Sequence, residues 1–383
     1  MSPAVGRCYV RPFPIPDFPS YIIGSLTHLS PMRIKPFLVS MLALVTSSSL
    51  AQSHHIDSHK MDENIVRLME LAGIPGLSIA VINQGQTEFY GTYGVKRAEA
   101  REPVDSQTLF EAASLTKPIV AYCALKLAEQ NLLELDRPLH TYLEYKDAAH
   151  NDRYKTITAR MVLSHTSGFP NWRSERKADK LNLKFKPGSK FGYSGEGFVY
   201  LQKVMEHILG LDLNIIANTY VFVPLNMTRS SLIFNHDENY AIGHDSQLIA
   251  RDKSKPGTPN AAYSLHTTAG DYAKFLNELF EPHFIGRAWR DQMISVQSFM
   301  RAKDTALAWG LGIGLNLVDD NTYLWHWGDN GVFRAFFIAS TDSGLGFVYF
   351  ANSENGLGIL DRLIELVYGE PEIMSTWKKY QQF

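Results

Sequence analysis

The chain has 383 residues, of which 45% are hydrophobic and 20% charged, a composition that supports one large or two ordinary domains with a sizeable core. Its formal net charge is −2, so the chain lacks the net positive charge that draws a protein to nucleic acid or to an anionic membrane surface. We therefore expect no nucleic-acid partner.

The first 51 residues differ from the rest of the chain. Residues 32–52, MRIKPFLVSMLALVTSSSLAQ, begin with two cations, continue with a short apolar run and end with a small-x-small triplet before a glutamine. This order is typical of a secretory signal peptide, and the apolar run is shorter than the roughly 20 residues that a membrane-spanning helix needs. We predict a signal peptide over residues 32–51, export to the periplasm or the medium, and no stable membrane span. The alternative is a disordered tail with a chance apolar patch. Residues 1–31 are expected to be a misassigned or disordered extension, and residues 52–383 a folded domain.

The mature chain opens with a helix and a pair of strands. In DENIVRLMELA, residues 62–72, apolar side chains recur on one helical face until a glycine and a proline end the pattern. GLSIAVI (76–82) and TEFYGTYG (87–94) predict two strands joined by the turn NQGQ. A second helix, which holds Ser114 and Lys117, follows the loop REPVDSQTLF.

The middle of the chain, residues from about 131 to 261, predicts helices and long loops. Its clearest helices are ITARMVLSHTSG (157–168) and GEGFVYLQKVMEHILG (195–210), each of which ends at a glycine.

Strands return near the C-terminus as four short aromatic and aliphatic runs. They are WGLGIGLNLV (309–318), TYLWHWG (322–328), FRAFFIAS (333–340) and LGFVYFAN (345–352). Turn residues at each junction are typical of an antiparallel meander, and LGILDRLIELVYG closes the chain as an amphipathic helix. We predict an α+β fold with one antiparallel sheet built from both chain ends, about residues 60–130 and 262–383. Helices flank this sheet, and a mostly helical region, about residues 131–261, is inserted between its two parts.

The segment EAASLTK, residues 111–117, places Ser114 and Lys117 three positions apart at the start of an apolar helix. Side chains at i and i+3 lie about 5–6 Å apart on one helical face. A serine hydroxyl becomes a good nucleophile when a base lies within hydrogen-bond reach, and a lysine can be that base if burial or a nearby charge lowers its pKa. Because a Ser-x-x-Lys spacing often arises by chance, other segments must support it.

Two later segments support a catalytic role for Ser114 and Lys117. FKPGSKFGYSGEGFVYLQ places Tyr193 where a loop meets a helix, and LWHWGDNGVF places His326-Trp327-Gly328 towards the end of a strand. With GIPGLSIAVI, ARMVLSHTSGFP and NAAYSLHTTAGDYAKF, these ordered blocks resemble the serine β-lactamase-like superfamily. The resemblance is to its branch of class C β-lactamases, D-aminopeptidases and carboxylesterases among the penicillin-recognising enzymes.

The resemblance implies a β-lactamase/transpeptidase-like fold and a role for each motif residue. Ser114 would be the acylated nucleophile, Lys117 its partner, and Tyr193 the tyrosine of the family's Y-x-N element. His326 and Gly328 would belong to the K-T-G or H-x-G strand element, with Gly328 leaving room for a substrate along the strand. The backbone amides of Ser114 and Asp329 would form the oxyanion hole. No metal or other cofactor is implied.

Two departures from the family pattern bear on the substrate. Gly195 stands where the Y-x-N element has its asparagine, and His326, mostly neutral at pH 7, stands where K-T-G has its lysine. Both changes weaken the case for an efficient β-lactamase or a DD-carboxypeptidase, and both suit an esterase or a D-amino-acid-specific peptidase. We expect an ester or a small amide as substrate. The alternatives are β-lactamase, D-aminopeptidase or peptidoglycan-peptide hydrolysis, and a non-hydrolytic penicillin-binding or sensing protein. No motif indicates an oligomeric state.

The identity of the general base stays open in the sequence. A free phenol has a pKa of about 10, so ionised Tyr193 at pH 7 would need about 4 kcal/mol from nearby cations such as Lys117 or a protonated His326. Alternatively, neutral Lys117 is the base and Tyr193 relays the proton. His165, in SHTSG, is expected to lie in a structural turn and to take no part in a Ser–His triad.

Overall fold

The computed structural model describes residues 56–173, 180–234, 237–251, 254–301, 303–369 and 373. The predicted signal peptide and the extension before it lie outside these residues. Among the helices of the described part, none combines the length and the apolar character needed to cross a membrane.

In the described residues, ten strands form two sheets. They are β1 (Gly76–Asn83), β2 (Gln86–Gly94), β3 (Phe110–Ala113), β4 (Leu265–Thr267), β5 (Ser298–Arg301), β6 (Asp304–Trp309), β7 (Gly314–Val318), β8 (Asn321–Asp329), β9 (Arg334–Ser340) and β10 (Gly346–Ala351). The large sheet has the order β2-β1-β10-β9-β8-β7-β6-β5, and β3 pairs with β4 in a separate small sheet. Antiparallel pairing of β1 with β10, in which Leu77 lies opposite Ala351, joins the two ends of the chain.

Helices surround the sheet and fill the middle of the chain. The α-helices are α1 (Ser58–Ala72), α2 (Thr116–Glu129), α3 (Ala159–Leu163), α4 (Gly195–Leu209), α5 (Leu213–Ala217), α6 (Ala269–Phe280), α7 (Arg287–Met293) and α8 (Leu360–Tyr368). Short 3₁₀ segments cover Leu139–Thr141, Lys146–Ala148, Asp152–Thr156 and Glu354–Ile359, and a π-helical turn covers Asn218–Phe222. The described residues between α2 and β4 form helices and loops, which makes this region a helical insertion.

Both faces of the large sheet are buried. Side chains of a strand alternate between the two faces, so one strand contributes to both. On β1, Leu77 and Ile79 pack with α1 and α8 in one apolar cluster. Ala80 and Ile82 point the other way and pack with α2 and α6 in a second cluster. This two-sided burial explains why GLSIAVI is a continuous apolar run.

The predicted fold class is confirmed, with local differences. The prediction of one strand over residues 309–318 is wrong, because β6 and β7 form a hairpin there. Gly312 in its turn has φ +79°, and a Cβ added there would lie 2.3 Å from Ala121 Cβ on α2. The helix predicted over residues 157–168 covers only α3, and the chain leaves it through His165 at φ +55°.

Gly312→Ala should lower the free energy of unfolding by about 2–4 kcal/mol, because it adds overpacking against α2 to the cost of a left-handed backbone. Urea unfolding followed by circular dichroism would measure the change. Gly210→Ala is the matched control, since Gly210 also has positive φ, +66°, but a Cβ there meets nothing within 4 Å. Equal losses in both variants would contradict the packing argument.

Candidate active site

Ser114 lies in the tight turn between β3 and α2, two residues before α2 begins at Thr116, so the prediction that the helix itself holds Ser114 is wrong. Ala113, just before it, has φ +48°, a conformation that is uncommon for a residue with a side chain. The Thr116 hydroxyl donates to the Ala113 carbonyl at 2.6 Å and accepts from the Leu265 N–H at 3.0 Å. The turn that presents Ser114 is therefore tied to β4.

Lys117 is fully buried beside this turn. Its Nζ donates to Ser114 Oγ at 3.1 Å and to the Ala262 carbonyl at 2.8 Å. Because burial disfavours the charged form, the pKa of Lys117 falls from 10.5 to about 7. A large fraction of the amine is therefore uncharged at neutral pH and can accept the Ser114 proton.

Tyr193 comes to the same place from a distant part of the chain. It immediately precedes Ser194, the residue that caps α4 by accepting from the Gly197 N–H. Lys117 Nζ lies 4.8 Å from the centroid of the Tyr193 ring. The structure thus brings together Ser114, Lys117 and Tyr193, three side chains that the sequence separates by up to 79 residues.

His326 is buried on β8 and uncharged. Its Nδ1 lies 2.8 Å from the Trp327 carbonyl, which can only accept, so Nδ1 carries the proton and Nε2 is an acceptor. Burial and the nearby Lys117 lower the pKa of His326 to about 3, so the ring is neutral at pH 7. The protonated His326 considered as a cation for Tyr193 is therefore wrong.

Gly328 brings the end of β8 against the turn that carries Ser114. A Cβ at Gly328 would lie 2.4 Å from the Ala112 carbonyl oxygen and 3.2 Å from Ala113 Cβ. A side chain at Gly328 would therefore collide with β3 itself. The expected reason for this glycine, room for a substrate along the strand, is corrected to room for β3. Asp329, the last residue of β8, accepts from the Gly331 N–H at 2.8 Å and from Arg334 at 2.6 Å.

Gly195 is the first residue of α4, and its missing side chain leaves room for a neighbouring loop. Its N–H donates to both the backbone and the side-chain oxygen of Asn171, at 3.1 and 3.0 Å. A Cβ at Gly195 would lie 2.8 Å from the Asn171 carbonyl and 3.1 Å from Trp172 Cη2. Gly195 was predicted as a site residue from the sequence, but no sequence pattern indicated that Asn171 and Trp172 contact it.

His165 lies in a structural turn, and this turn supports Tyr193. Its carbonyl accepts from the Gly192 N–H at 2.8 Å, and its Nδ1 accepts from the Ser194 N–H at 3.1 Å. Its ring lies 4.2 Å, centroid to centroid, from the ring of Tyr193. Burial, with the nearby Lys117, lowers the pKa of His165 well below 6.5, so Nδ1 stays an acceptor. His165 therefore fixes the residues on both sides of Tyr193, a role that sequence reasoning missed.

One family model and several known proteins match this chain. The Beta-lactamase family model matches residues 61–368. Protein flp of Staphylococcus aureus (strain N315) is 24% identical over 315 residues, which are 76% of this chain and 62% of that protein. This chain thus spans less than two thirds of that relative's length.

Two solved structures share the fold. The octameric penicillin-binding protein homologue from Pyrococcus abyssi has a TM-score of 0.70 at 23% identity, covering 83% of this chain and 79% of that one. A class C beta-lactamase has a TM-score of 0.69 at 20% identity, covering 84% of this chain and 97% of its own.

The rate of covalent labelling of Ser114 by a fluorophosphonate should rise with pH to a plateau, with a midpoint of about 7. Below the midpoint Lys117 is protonated and cannot accept the Ser114 proton, so the rate should fall about tenfold per pH unit. Time-resolved intact-protein mass spectrometry would give the rate. Lys117→Met should label very slowly, whereas Lys203→Met, which alters an exposed lysine of α4, should keep the wild-type profile. A rate independent of pH through this range would contradict the assignment.

Proposed function

The chain belongs to the beta-lactamase family, and from this premise we propose that it hydrolyses esters or small amides through an acyl-enzyme on Ser114. Membership makes it a serine hydrolase of the penicillin-recognising type. The observation that carries the proposal is the buried amine of Lys117, whose Nζ lies 3.1 Å from Ser114 Oγ and whose pKa is lowered to about 7.

The acylation step follows from this placement. Ser114 Oγ attacks the substrate carbonyl carbon as its proton passes to neutral Lys117. The negative charge that develops on the carbonyl oxygen is stabilised by the backbone N–H groups of Ser114 and Asp329. When the bond to the leaving group breaks, the proton returns from Lys117, by way of the Tyr193 hydroxyl, to the departing oxygen or nitrogen. Lys117 is thus our choice of general base, and Tyr193 the relay.

Deacylation reverses the same proton path. A water molecule attacks the acyl carbon and gives its proton, through Tyr193, to Lys117. Cleavage of the acyl–Ser114 bond then returns that proton to Ser114 Oγ and releases the carboxylic acid. Both half-reactions use the same three side chains and need no metal or cofactor.

Two features support esters or small amides as the substrate class. His326 is uncharged at pH 7, because burial lowers its pKa to about 3, so it offers no cation to a substrate carboxylate. At Gly195 there is no carboxamide, and Asn171 directs its side-chain oxygen at the Gly195 N–H. Both changes weaken the case for β-lactams and for peptides that end in a carboxylate.

Activity against p-nitrophenyl acetate and a chromogenic cephalosporin would test the proposal. We expect ester turnover, little cephalosporin turnover, and loss of ester activity in Ser114→Ala. Tyr193→Phe should lower kcat by about 10²–10⁴, as expected when acid–base assistance is removed. Ser106→Ala, at an exposed serine, and Tyr93→Phe, whose hydroxyl donates to Asp62, are the matched controls and should retain activity.

Each other outcome of this experiment identifies an alternative. Cephalosporin turnover faster than ester turnover would mark a β-lactamase and overturn the ester assignment. A stable mass adduct without turnover would mark a penicillin-binding or sensing protein. Ester activity retained in Ser114→Ala would refute the mechanism itself.

We also propose that the protein is exported, on the strength of the signal-peptide pattern in residues 32–51. Expression of the full chain followed by mass spectrometry of the mature N-terminus should find cleavage after Ala51. Recovery of a cell-associated chain that retains residues 32–51 would refute export by this signal.

A further inference from the structure

Trp172 is fixed above the start of α4. On its N-terminal side, the Asn171 carbonyl accepts from the N–H groups of Gly195 and Glu196, at 3.1 and 3.2 Å. On its C-terminal side, Arg173 pairs with Glu196 at 3.1 Å and with Asp147 at 2.7 Å. Because both neighbours are held, the backbone of Trp172 is fixed relative to α4, the helix that follows Tyr193.

The indole of Trp172 lies against the first residue of α4 and is partly exposed to solvent. Its Cη2 lies 3.1 Å from the point where a side chain at Gly195, two residues after Tyr193, would begin. Its exposed fraction is 46%, although a large aromatic ring gains from being covered.

Tyr263 packs against Trp172. Their ring centroids lie 5.8 Å apart with an interplanar angle of 71°, an edge-to-face pair. Tyr263 directly follows Ala262, whose carbonyl accepts from Lys117 Nζ at 2.8 Å. Tyr263 thus belongs to the segment that binds Lys117, and Trp172 packs on Gly195, two positions after Tyr193.

We propose that Trp172 and Tyr263 form an aromatic subsite that binds a ring-bearing or branched apolar substituent of the substrate. This inference deepens the proposed function and rests on it. Aromatic rings pack favourably in edge-to-face and offset geometries, and the indole presents a partly exposed surface for such packing. Because Gly195 has no side chain, the indole lies close against the start of α4, which is where we place the substituent of the scissile ester. The substrate class becomes neutral esters that carry an aryl or bulky alkyl group.

Two ester series with Trp172→Ala would test the subsite. The first keeps a methanol leaving group and compares methyl acetate with methyl phenylacetate. The second keeps the acetyl group and compares methyl acetate with benzyl acetate. Wild type should show at least about tenfold higher kcat/KM for the aryl member of one series, most of the difference lying in KM, because an aromatic contact of this kind strengthens binding.

Trp172→Ala should abolish that preference, because it should lower kcat/KM for the aryl ester at least about tenfold more than kcat/KM for methyl acetate. Trp172→Phe should restore part of it, and Phe284→Ala, which removes another exposed aromatic ring, should leave it intact. The series that shows the preference identifies whether the acyl or the leaving group meets the indole. Equal losses on all esters, or a preference that persists in Trp172→Ala, would overturn the subsite.

A binding measurement separates failure of the subsite from failure of the proposed function. In Ser114→Ala, which cannot be acylated, calorimetry should show at least about fivefold weaker binding of methyl phenylacetate or of benzyl acetate when Trp172→Ala is added. If wild type hydrolyses none of the esters but this difference is found, the subsite stands and the proposed function falls. If the esters are hydrolysed and Ser114→Ala binds them equally with either residue at position 172, the proposed function stands and the subsite is wrong.

Discussion

The proposed active site depends on the burial of one amine. Lys117 lies in the first turn of α2, a helix of which all but two residues are buried, and its Nζ is bonded to Ser114 Oγ and to the Ala262 carbonyl. Neither partner is an anion, so the desolvation of the ammonium is not offset, and the pKa falls to about 7. An unfolded chain holds this proton up to about pH 10.5, so between the two values stability rises with pH, by an amount of order 5 kcal/mol in total. The same burial that weakens the fold at low pH creates the proton acceptor.

The fold supplies this burial by converging distant segments. Gly328 lets the end of β8 approach the β3 turn before Ser114, and a Cβ there would overlap the Ala112 carbonyl. His165 fixes Tyr193 through hydrogen bonds to the residues on either side of it, and it must be neutral to accept from Ser194. Two buried histidines, His165 and His326, thus surround the site without adding charge, which keeps the amine the main titrating group near neutral pH.

Sequence patterns predicted most of the fold because its larger elements have clear local periodicity. The family resemblance is confirmed, and the helix and strands at both ends of the mature chain match α1, β1, β2, β8, β9 and β10. The hairpin at Gly312 was missed because its turn residues are apolar and pack on α2. The contribution of His165 was missed for a related reason, since its contacts with residues 192–194 depend on tertiary structure alone. The roles given to the site residues stay predictions until their chemistry is measured.

The two departures from the family motifs have a common physical consequence. A lysine in place of His326 would put a second cation beside Lys117, and like charges in a buried site lower each other's pKa. With a neutral ring there, the pKa of Lys117 is lowered mainly by its own burial. The same neutral ring offers no charge with which to bind a charged substrate. At Gly195 the lost side chain admits Trp172, so an aromatic surface stands where a polar group would have stood. Both changes support the neutral ester that we propose as substrate, because they replace charged and hydrogen-bonding groups with shape and apolar contact.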